Sequence, residues 1–349
     1  MNLREGHIAI AVDAMGGDFA PAAVVEGALD ALAAAPGRFA ILLVGVQESI
    51  ERELARFSGR TAALRSSGAL QVVHAPEVIA MDDQPNAALK TKRNSSIGVG
   101  LALHRDGTAQ AFVSAGNTGA VLSASTLILG RIRGVGRPTI GALIPTAQTP
   151  CLLVDAGANV DCRPRHLYEF GVMGSAYVGA MLGKDRPAVG LLSIGEEETK
   201  GNEASLQAFA LLKASELNFI GNVEGRDILK GTADVVVCDG FVGNILLKFG
   251  ESVPGFFKAK FLRYASRGIL NKAVALVARR GMRTVMKELD YQEHGGVPLL
   301  GVNGVSIIGH GGSTPKAVKN MILRADEMVE RRVNQNIEAT LHALPDGAS

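Results

Sequence analysis

The stretch VGLLSIGEEETKGN, residues 189–202, joins an apolar run to a polar loop. The run is typical of a buried strand, and the loop carries a glycine, three glutamates and the sequence Thr-Lys-Gly-Asn. The next segment, ASLQAFALLK, places Leu206, Phe209 and Ala210 at helical spacing. The pattern therefore predicts a strand, a loop at the edge of a sheet, and a helix, which is a usual setting for an active site.

The start of this helix is a candidate anion site. Free N–H groups in the first helical turn, together with Lys200, Gly201 and Asn202, would attract a phosphate. The glutamates, Glu197 among them, would repel it unless they held Lys200, an arginine or a metal ion. A solvated acidic loop before an ordinary helix cap is the alternative interpretation.

Composition places the chain among globular enzymes. Its 349 residues are 47% hydrophobic, enough for a large core in one or two domains. The 42 glycines, the absence of tryptophan and the 20% of charged residues fit an α/β enzyme rich in glycine turns. A net charge of +2 gives no indication of nucleic-acid binding.

The cysteines and the N-terminus predict a cytoplasmic protein. Cys151, Cys162 and Cys238 have no metal-ligand spacing, and an odd number argues against a disulfide framework. The first apolar run leads directly into a glycine turn, so we expect neither a signal peptide nor a membrane span.

Strand and helix patterns alternate along the chain. Apolar runs at His7–Val12, Phe39–Val44 and Leu70–Ala75 are each followed by a loop or a helical pattern, and the alternation continues from Ala111 onward. We therefore expect one large α/β domain over residues 1–349, with a mostly parallel, Rossmann-like layered sheet and right-handed crossovers.

Polar residues follow the predicted strands, each beside glycine or asparagine. They are Asp13, Asn117, Asp155, Glu197, Asn222, Glu224, Asp239 and Asn244. In an open α/β sheet the carboxyl ends of parallel strands face one crevice, where ligands bind. We therefore expect these residues to surround a single site.

Two glycine turns could approach a ligand closely. Gly16 and Gly17 follow the first strand, and Asn117-Thr118 lies in the turn SAGNTGA, where either residue could cap a helix or bond a ligand oxygen. A well-capped core helix explains the second turn equally well. Neither a Walker lysine nor a well-placed GxGxxG is present.

A histidine lies at the last predicted strand end. His310 begins HGGSTP, and a helix is predicted over Lys316–Gln335, so Gly311 and Ser313 lie at a helix start able to hold an anion. His310 is a candidate catalytic residue, although a structural role is equally compatible with the pattern.

The segment Val253–Lys287 carries nine Lys or Arg residues and no acidic residue. Phe256–Arg267 and Ile269–Lys287 each have an apolar and a basic helical face. We predict a projecting basic, amphipathic helical hairpin that contacts an acidic protein or an anionic membrane; a solvated pair packed on the core or on a second subunit is the alternative. Its candidate contact residues are Phe256, Phe257, Lys258, Lys260, Phe261, Arg263, Arg267, Arg279, Arg280 and Arg283.

Seven phrases together resemble the PlsX family of acyl-acyl-carrier-protein:phosphate acyltransferases. They are VDAMGGD, SAGNTGA, GLLSIGEEETKGN, NFIGNVEGRDI, VVVCDGFVGNILLK, GGVPLLGVNG and HGGS. The resemblance spans Ile8 to about Val333. Ser193 departs from it, standing where asparagine is common, and the tail His342–Ser349 has no counterpart.

This resemblance implies transfer of a fatty acyl group from acyl carrier protein to inorganic phosphate. The acyl phosphate product would supply a membrane-bound glycerol-phosphate acyltransferase in phospholipid synthesis. The resemblance also implies a fold similar to phosphate acetyltransferases and isocitrate-type dehydrogenases, a homodimer, peripheral membrane association and no cofactor.

The residues suggest direct acyl transfer, because phosphate is already an anionic nucleophile and no Ser-His pair is visible. Lys200 and the helix starts at Asn117-Thr118 and Gly311–Ser313 are candidates for holding phosphate. Asn222, Asn244 or a backbone N–H would bond the thioester oxygen, and His310 could protonate the leaving thiolate.

Two other classes of function are weighed. One is a metal- and nicotinamide-dependent dehydrogenase with Asp155, Glu197 and Asp239 as ligands, although a dinucleotide fingerprint is absent. The other is a membrane-surface scaffold acting through the hairpin, which would have no use for a crevice surrounded by polar residues.

Overall fold

A computed structural model describes residues 8–288 and 295–342, with side chains described for 8–282 and 295–341. Several predictions therefore fall outside it: the strand start at His7, the side chain of Arg283 and nearly all of the tail. The strands are β1 Ile8–Asp13, β2 Phe39–Gly45, β3 Leu70–His74, β4 Ala111–Ser114, β5 Thr139–Ile144, β6 Cys151–Val154, β7 Ala188–Leu192, β8 Asn218–Val223, β9 Val235–Val237, β10 Val297–Leu300 and β11 Val305–Ile308.

Helices connect these strands, as the alternating pattern predicts. They are α1 Ala22–Ala34, α2 Gln47–Ala55, α3 Ser58–Ser66, α4 Pro85–Thr91, α5 Ser96–Arg105, α6 Thr118–Ile128, α7 Pro164–Leu182, α8 Glu203–Lys213, α9 Gly225–Ile228, α10 Gly240–Ala265, α11 Ile269–Glu288, α12 Pro315–Glu330 and α13 Val333–His342. The mostly parallel α/β architecture is confirmed.

The strands form one sheet in the order β3-β2-β1-β4-β11-β10-β5-β6-β9-β7-β8. The group from β3 to β11 is parallel, and so is the group β6-β9-β7-β8. Between them, the pairs β11/β10, β10/β5 and β5/β6 are antiparallel. An odd number of reversals makes the two parallel groups run in opposite directions.

The expectation that all strand ends face one crevice is therefore wrong. The carboxyl ends of β1, β4 and β11 lie at one edge, here called the first edge. Those of β6, β7, β8 and β9 lie at the opposite edge, here called the second edge. A parallel sheet gathers its strand ends at one edge only where the direction is constant.

Apolar layers cover both faces of the sheet. On one face, Leu29 of α1, Phe170 of α7 and Met321 of α12 are buried in the largest cluster. On the other, Ile97 of α5 and Val121 of α6 are buried in a second cluster. Since both faces are covered, the central strands are nearly continuous runs of apolar residues.

Helix α8 buries only Phe209 of the three residues whose spacing predicts the helix. Ala208, Phe209 and Leu212 are buried, while Leu206 is 38% exposed and Ala210 is exposed. Both faces carry apolar residues at helical spacing, so contact with α7 and β8 selects between them.

The helix predicted from Phe256 is the second half of a longer one. Helix α10 has 26 residues, begins at Gly240 and continues through Pro254. Inside a helix a proline removes the hydrogen bond of its missing N–H, and its ring crowds the carbonyl four residues earlier, so a helix start near Pro254 is the usual expectation. The helix predicted over Lys316–Gln335 is instead two helices, α12 and α13, separated near Arg332, which has a positive φ of 53°.

The side chains of the predicted hairpin are largely exposed. Phe256, Phe257, Lys258, Lys260, Arg263, Arg267, Arg279 and Arg280 are exposed, and Phe261 is half-buried. The apolar surface extends further along α10 than predicted, because Phe241, Ile245 and Phe249 are 58%, 54% and 69% exposed. Within residues 8–288 and 295–342, no helix has both the length and the apolar content needed to cross a bilayer.

Candidate active site

A cavity of about 470 Å³ lies at the second edge. It is bounded by the end of β7, the first turns of α8 and α10, and the loop that leads into α7. Its apolar lining includes Val160, Leu167, Leu191, Ile194, Val242 and Leu246. Its polar lining includes Ser193, Asn202, Ser205 and Asp239. This mixed lining suits a substrate with both an apolar and a polar part.

Residues 195–201 form a loop beside the cavity, and hydrogen bonds to its own backbone carbonyl groups hold it in place. The N–H of Lys200 donates to the Glu197 carbonyl at 3.0 Å, and the Ser193 hydroxyl donates to the Lys200 carbonyl at 3.1 Å. Asn222 is buried and its amide donates to the Glu197 carbonyl at 2.8 Å. The side chains of Lys200 and Glu197 are exposed, so Asn222 positions the loop that presents them.

Side-chain caps shape the two helix starts at the cavity. Asn202 accepts from the Ser205 N–H at 2.9 Å, and Asp239 accepts from the Val242 N–H at 2.8 Å. Both predicted substrate-binding residues are thus N-caps, which satisfy an N–H of the first turn. The carboxylate of Asp239 adds negative charge at α10, so the start of α8 is the better of the two places for an anion.

Two more residues of the predicted site lie nearby at the second edge. Glu224 caps α9, where its N–H donates to Asp227 Oδ2 at 3.0 Å and its carboxylate pairs with Arg226 Nε at 2.9 Å. Asn244 is exposed on α10 against Gly157, where an added Cβ would lie 3.3 Å from that of Asn244. Of the two, only Asn244 lacks a hydrogen-bond partner among the contacts of the described residues.

Asp155 has a structural role at this edge. Its buried carboxylate accepts from the N–H groups of Ile140, Gly157, Ala158 and Asn159 and from the Asn159 amide, at 2.7–3.2 Å. Burial raises the pKa of Asp155 above its ordinary value, and these donors act in the opposite direction. The carboxylate thereby fixes the turn against β5.

The ligand set of the dehydrogenase alternative is not assembled. Among the side chains of residues 8–282 and 295–341, no three of His, Cys, Asp or Glu lie close enough together to hold a metal ion. Asp155 is surrounded by N–H donors, whereas Glu197 is exposed on another loop. The three carboxylates Asp155, Glu197 and Asp239 therefore do not form a site.

The first edge contains the other half of the predicted residues. Asp13 is buried, accepts from the Ser114 hydroxyl at 2.7 Å and from the Met15 N–H at 3.0 Å, and burial raises its pKa. Asn117 donates to the carbonyls of Met81 and Asp83 and accepts from Ala120 N–H. These two side chains join neighbouring turns.

Gly312 and Ser313 lie beside His310, and the other predicted residues of the first edge lie in the turns around it or at the start of α6. Gly312 N–H donates to His310 Nδ1 at 3.1 Å, and the Ser313 hydroxyl donates to the His310 carbonyl at 2.6 Å. Gly17 and Gly311 lie in touching turns, since a Cβ on Gly17 would be 3.0 Å from the Gly311 oxygen. Gly16 in the same turn lies against Asp13 and Gly116, and Thr118 is exposed at the start of α6.

His310 and Lys200 do not share a site. They follow β11 and β7, which are separated by five steps in the sheet and point in opposite directions. At roughly 4.8 Å per strand, the two strands are about 24 Å apart across the sheet, and their carboxyl ends lie at opposite edges. The predicted combination of Lys200 with His310 is therefore wrong, because sequence order does not reveal the reversal of strand direction.

Two cysteines that we did not predict as site residues line the cavity, Cys162 and Cys238. Burial raises the pKa of Cys162 to about 12 and that of Cys238 well above its ordinary range, and nearby Asp155 adds to both shifts. Both groups are therefore thiols at neutral pH. No spacing in the sequence indicates that they come together.

The chain is similar to known proteins over nearly its whole length. Residues 8–336 match the family model described as "Fatty acid synthesis protein". The phosphate acyltransferase of Pelotomaculum thermopropionicum is 49% identical over 335 residues, covering 96% of this chain and 95% of that protein. The phosphate acyltransferase of Chlorobaculum parvum is 48% identical over 343 residues, covering 96% and 99%.

Solved structures with the same fold are more distant in sequence. A phosphotransacetylase from Streptococcus pyogenes aligns with a TM-score of 0.62 at 14% identity, over 93% of this chain and 94% of that one. A branched-chain phosphotransacylase from Enterococcus faecalis aligns with a TM-score of 0.58 at 15% identity, over 92% and 99%. At this level of identity the comparison shows the fold alone, and the predicted likeness to phosphate acetyltransferases is confirmed.

Proposed function

Since this chain belongs to the phosphate acyltransferase family, we propose that it transfers a fatty acyl group from acyl carrier protein to inorganic phosphate. The supporting observation is the cavity at the second edge, where an apolar lining adjoins the exposed Lys200 loop and the start of α8. The apolar lining suits the acyl chain of a thioester, and the Lys200 loop with the start of α8 suits phosphate.

The reaction requires one displacement. A phosphate oxygen attacks the thioester carbonyl carbon, a C–O bond forms, the C–S bond breaks, and the leaving thiolate takes up a proton. Lys200 and the first-turn N–H groups of α8 hold the phosphate, and the same positive end stabilises the developing oxyanion. Asn222 already holds the loop and Asn244 packs on Gly157 outside the cavity lining, so these backbone N–H groups are the candidates for bonding the thioester oxygen.

The cavity thiols favour direct transfer over an acyl-cysteine intermediate. A nucleophilic cysteine acts as its thiolate, but burial keeps the pKa of Cys162 at about 12. The Sγ atoms of Cys162 and Cys238 also point to backbone carbonyls, of Asn159 and Asp155 respectively. Phosphate needs no such intermediate, because it carries its own negative charge.

The test is to incubate the protein with palmitoyl-acyl carrier protein, with and without phosphate, and to follow release of the carrier thiol. We expect phosphate-dependent release, with acyl phosphate trapped by hydroxylamine. Release without phosphate would indicate a thioesterase or another acceptor, and no release would refute the proposed transfer.

Lys200→Ala should lower kcat/KM by about 100-fold, the size of effect expected when one charged group that stabilises the developing anion is lost. Lys90→Ala removes the same charge from an exposed position on α4, which packs on α6 in the other half of the sheet, and serves as the control, for which we expect less than a twofold change. Thermal unfolding of both variants should match the parent. Equal activity of the two variants would contradict the role of Lys200.

Cys162→Ser should retain at least half of the parent turnover, because the thiol packs in the cavity without acting as nucleophile. Iodoacetamide at pH 7.5 should likewise leave activity intact, since a thiol with a pKa of about 12 is hardly ionised there. A stable thioester on the protein, detected by mass spectrometry of the acid-quenched reaction, would contradict direct transfer.

The resemblance noted in the sequence supports three further proposals about partners. We propose that the chain forms a homodimer, associates peripherally with a membrane and supplies acyl phosphate to a membrane-bound glycerol-phosphate acyltransferase. The exposed Phe256 and Phe257 on α10, beside Lys258 and Lys260, are suited to an anionic bilayer surface.

A further inference from the structure

Five arginines form a second basic surface, separate from the α10/α11 hairpin. They come from two segments of the chain and are all exposed: Arg131, Arg133, Arg137, Arg163 and Arg165, here called the arginine patch. Three lie in the loop between α6 and β5, and two lie at the start of α7.

Contacts among backbone and buried groups bring the two segments together. Arg137 Nη1 donates to the Asp161 carbonyl at 3.0 Å, and Arg131 donates to the Gly136 carbonyl. The Gly136 N–H in turn donates to Glu169 Oε2 at 2.8 Å, and Arg165 Nε donates to the other oxygen of the same carboxylate at 3.0 Å.

The patch has an excess of positive charge. Glu169 is only 4% exposed and its carboxylate is occupied by Arg165 and Gly136, which leaves Asp161 as the exposed acid of these two segments. Burial lowers the pKa of His166, which lies between the segments, and the charges of Arg137 and Arg163 lower it further. The surface is therefore suited to a large anionic partner.

The patch borders the cavity, whereas the basic residues at the far end of α10, such as Arg263, are distant from it. Asp161, Cys162 and Leu167 line the cavity, so Arg163 and Arg165 lie in the same short segment. Along α10, Leu246 lines the cavity, and Arg263 is 17 residues further along the same helix. At about 1.5 Å per residue, Arg263 is on the order of 25 Å away.

We infer that the arginine patch is the surface on which an acidic acyl carrier protein docks to deliver its thioester into the cavity. This inference rests on the proposed function, which names the carrier protein as the acyl donor. The thioester is attached to the carrier by a flexible arm, so the carrier must bind at the cavity rim. The patch meets this requirement, and the hairpin is left for other contacts.

The chemistry of arginine suits this role. Guanidinium groups bind carboxylates in pairs of parallel hydrogen bonds, and a group of them steers an acidic protein toward the cavity. Each exposed ion pair contributes little alone, so affinity depends on the group and falls as salt rises.

The test measures binding directly, by fluorescence anisotropy of labelled palmitoyl-acyl carrier protein. The test variant is Arg133→Glu/Arg163→Glu; Arg131 and Arg137 are left unchanged because they also donate to backbone carbonyls. We expect Kd to rise tenfold or more, and its salt dependence to become shallower. Arg133→Lys/Arg163→Lys, which keeps the charge but loses the paired hydrogen bonds, should restore part of the affinity.

The matched control reverses two charges on the hairpin, Arg263→Glu/Arg267→Glu, and should leave the Kd for the carrier within twofold of the parent. A tenfold rise in this control, with unchanged binding by the patch variant, would overturn the inference. Parallel turnover assays keep the two proposals distinct. Patch-dependent binding without acyl phosphate formation would refute the proposed transfer alone, and turnover with patch-independent binding would refute the docking surface alone.

Discussion

Gly243→Ala should lower the free energy of unfolding by about 3 kcal/mol or more, because this position has no room for a side chain. A Cβ there would lie 1.8 Å from the Asp155 carbonyl oxygen and 3.0 Å from Cys238 Sγ. The first turn of α10 would have to move away from the second edge, and acyl transfer should fall with it. Urea denaturation and turnover measure the two effects.

The same helix provides the control. Gly250→Ala adds an identical methyl group at a position where a Cβ has no atom within 4 Å. Alanine is favoured over glycine inside a helix by roughly 0.5–1 kcal/mol, so this variant should be slightly more stable than the parent. If Gly243→Ala were equally stable, the close packing of α10 on the Asp155 turn would be contradicted.

Asp155→Ala should cost about 3 kcal/mol or more, since it leaves the buried N–H groups of the turn without an acceptor. The carboxylate accepts from four backbone N–H groups, at residues 140, 157, 158 and 159. Its loss would release the turn on which Gly243 and Asn244 pack. The melting temperature and the midpoint of urea unfolding should both decrease.

Asp161→Ala is the control for charge removal, because Asp161 is exposed and its backbone carbonyl, not its carboxylate, accepts from Arg137. We expect a change of under 0.5 kcal/mol, as is usual for a surface substitution. Asp155→Asn keeps one acceptor oxygen, so its loss in free energy of unfolding should lie between those of Asp155→Ala and Asp161→Ala. If Asp155→Ala were no less stable than Asp161→Ala, the proposed role of the Asp155 network would be refuted.

Gly243→Ala and Asp155→Ala both disturb the packing of the first turn of α10 on the turn at Asp155. Helix α10 begins at the cavity, packs Gly243 on the Asp155 carbonyl and places Leu247 against the second apolar cluster. Beyond this packed first turn, α10 continues into the exposed apolar and basic surface of the hairpin. Tight packing at its start therefore holds both the cavity wall and the base of the hairpin.

Local pattern was enough to predict much of this molecule. Apolar runs and glycine turns located most strands to within a residue or two, as for Phe39–Gly45 and Leu70–His74. The phrases around residues 190–202 and 235–248 were specific enough to identify the family from the sequence alone. Periodicity and turn chemistry depend on neighbours in the chain, so both can be recognised from the sequence without a structure.

Residues at strand ends were harder to interpret. Asp13, Asn117 and Asp155 have the sequence context of ligand-binding groups, yet each side chain is occupied by N–H, hydroxyl or carbonyl groups of neighbouring turns. A polar residue beside glycine has the same appearance whether it faces a substrate or holds a loop. Only its hydrogen-bond partners distinguish the two roles.

The sequence by itself determined the family, the alternation of strands and helices, and the basic hairpin segment. Tertiary structure decided which of these features meet. The antiparallel pairs around β5 and β10 reverse the sheet and separate His310 from Lys200. The contact between Arg137 and Asp161 brings together two arginine segments that are remote in sequence. Such pairings depend on packing between distant parts of the chain, and local periodicity carries no information about that packing.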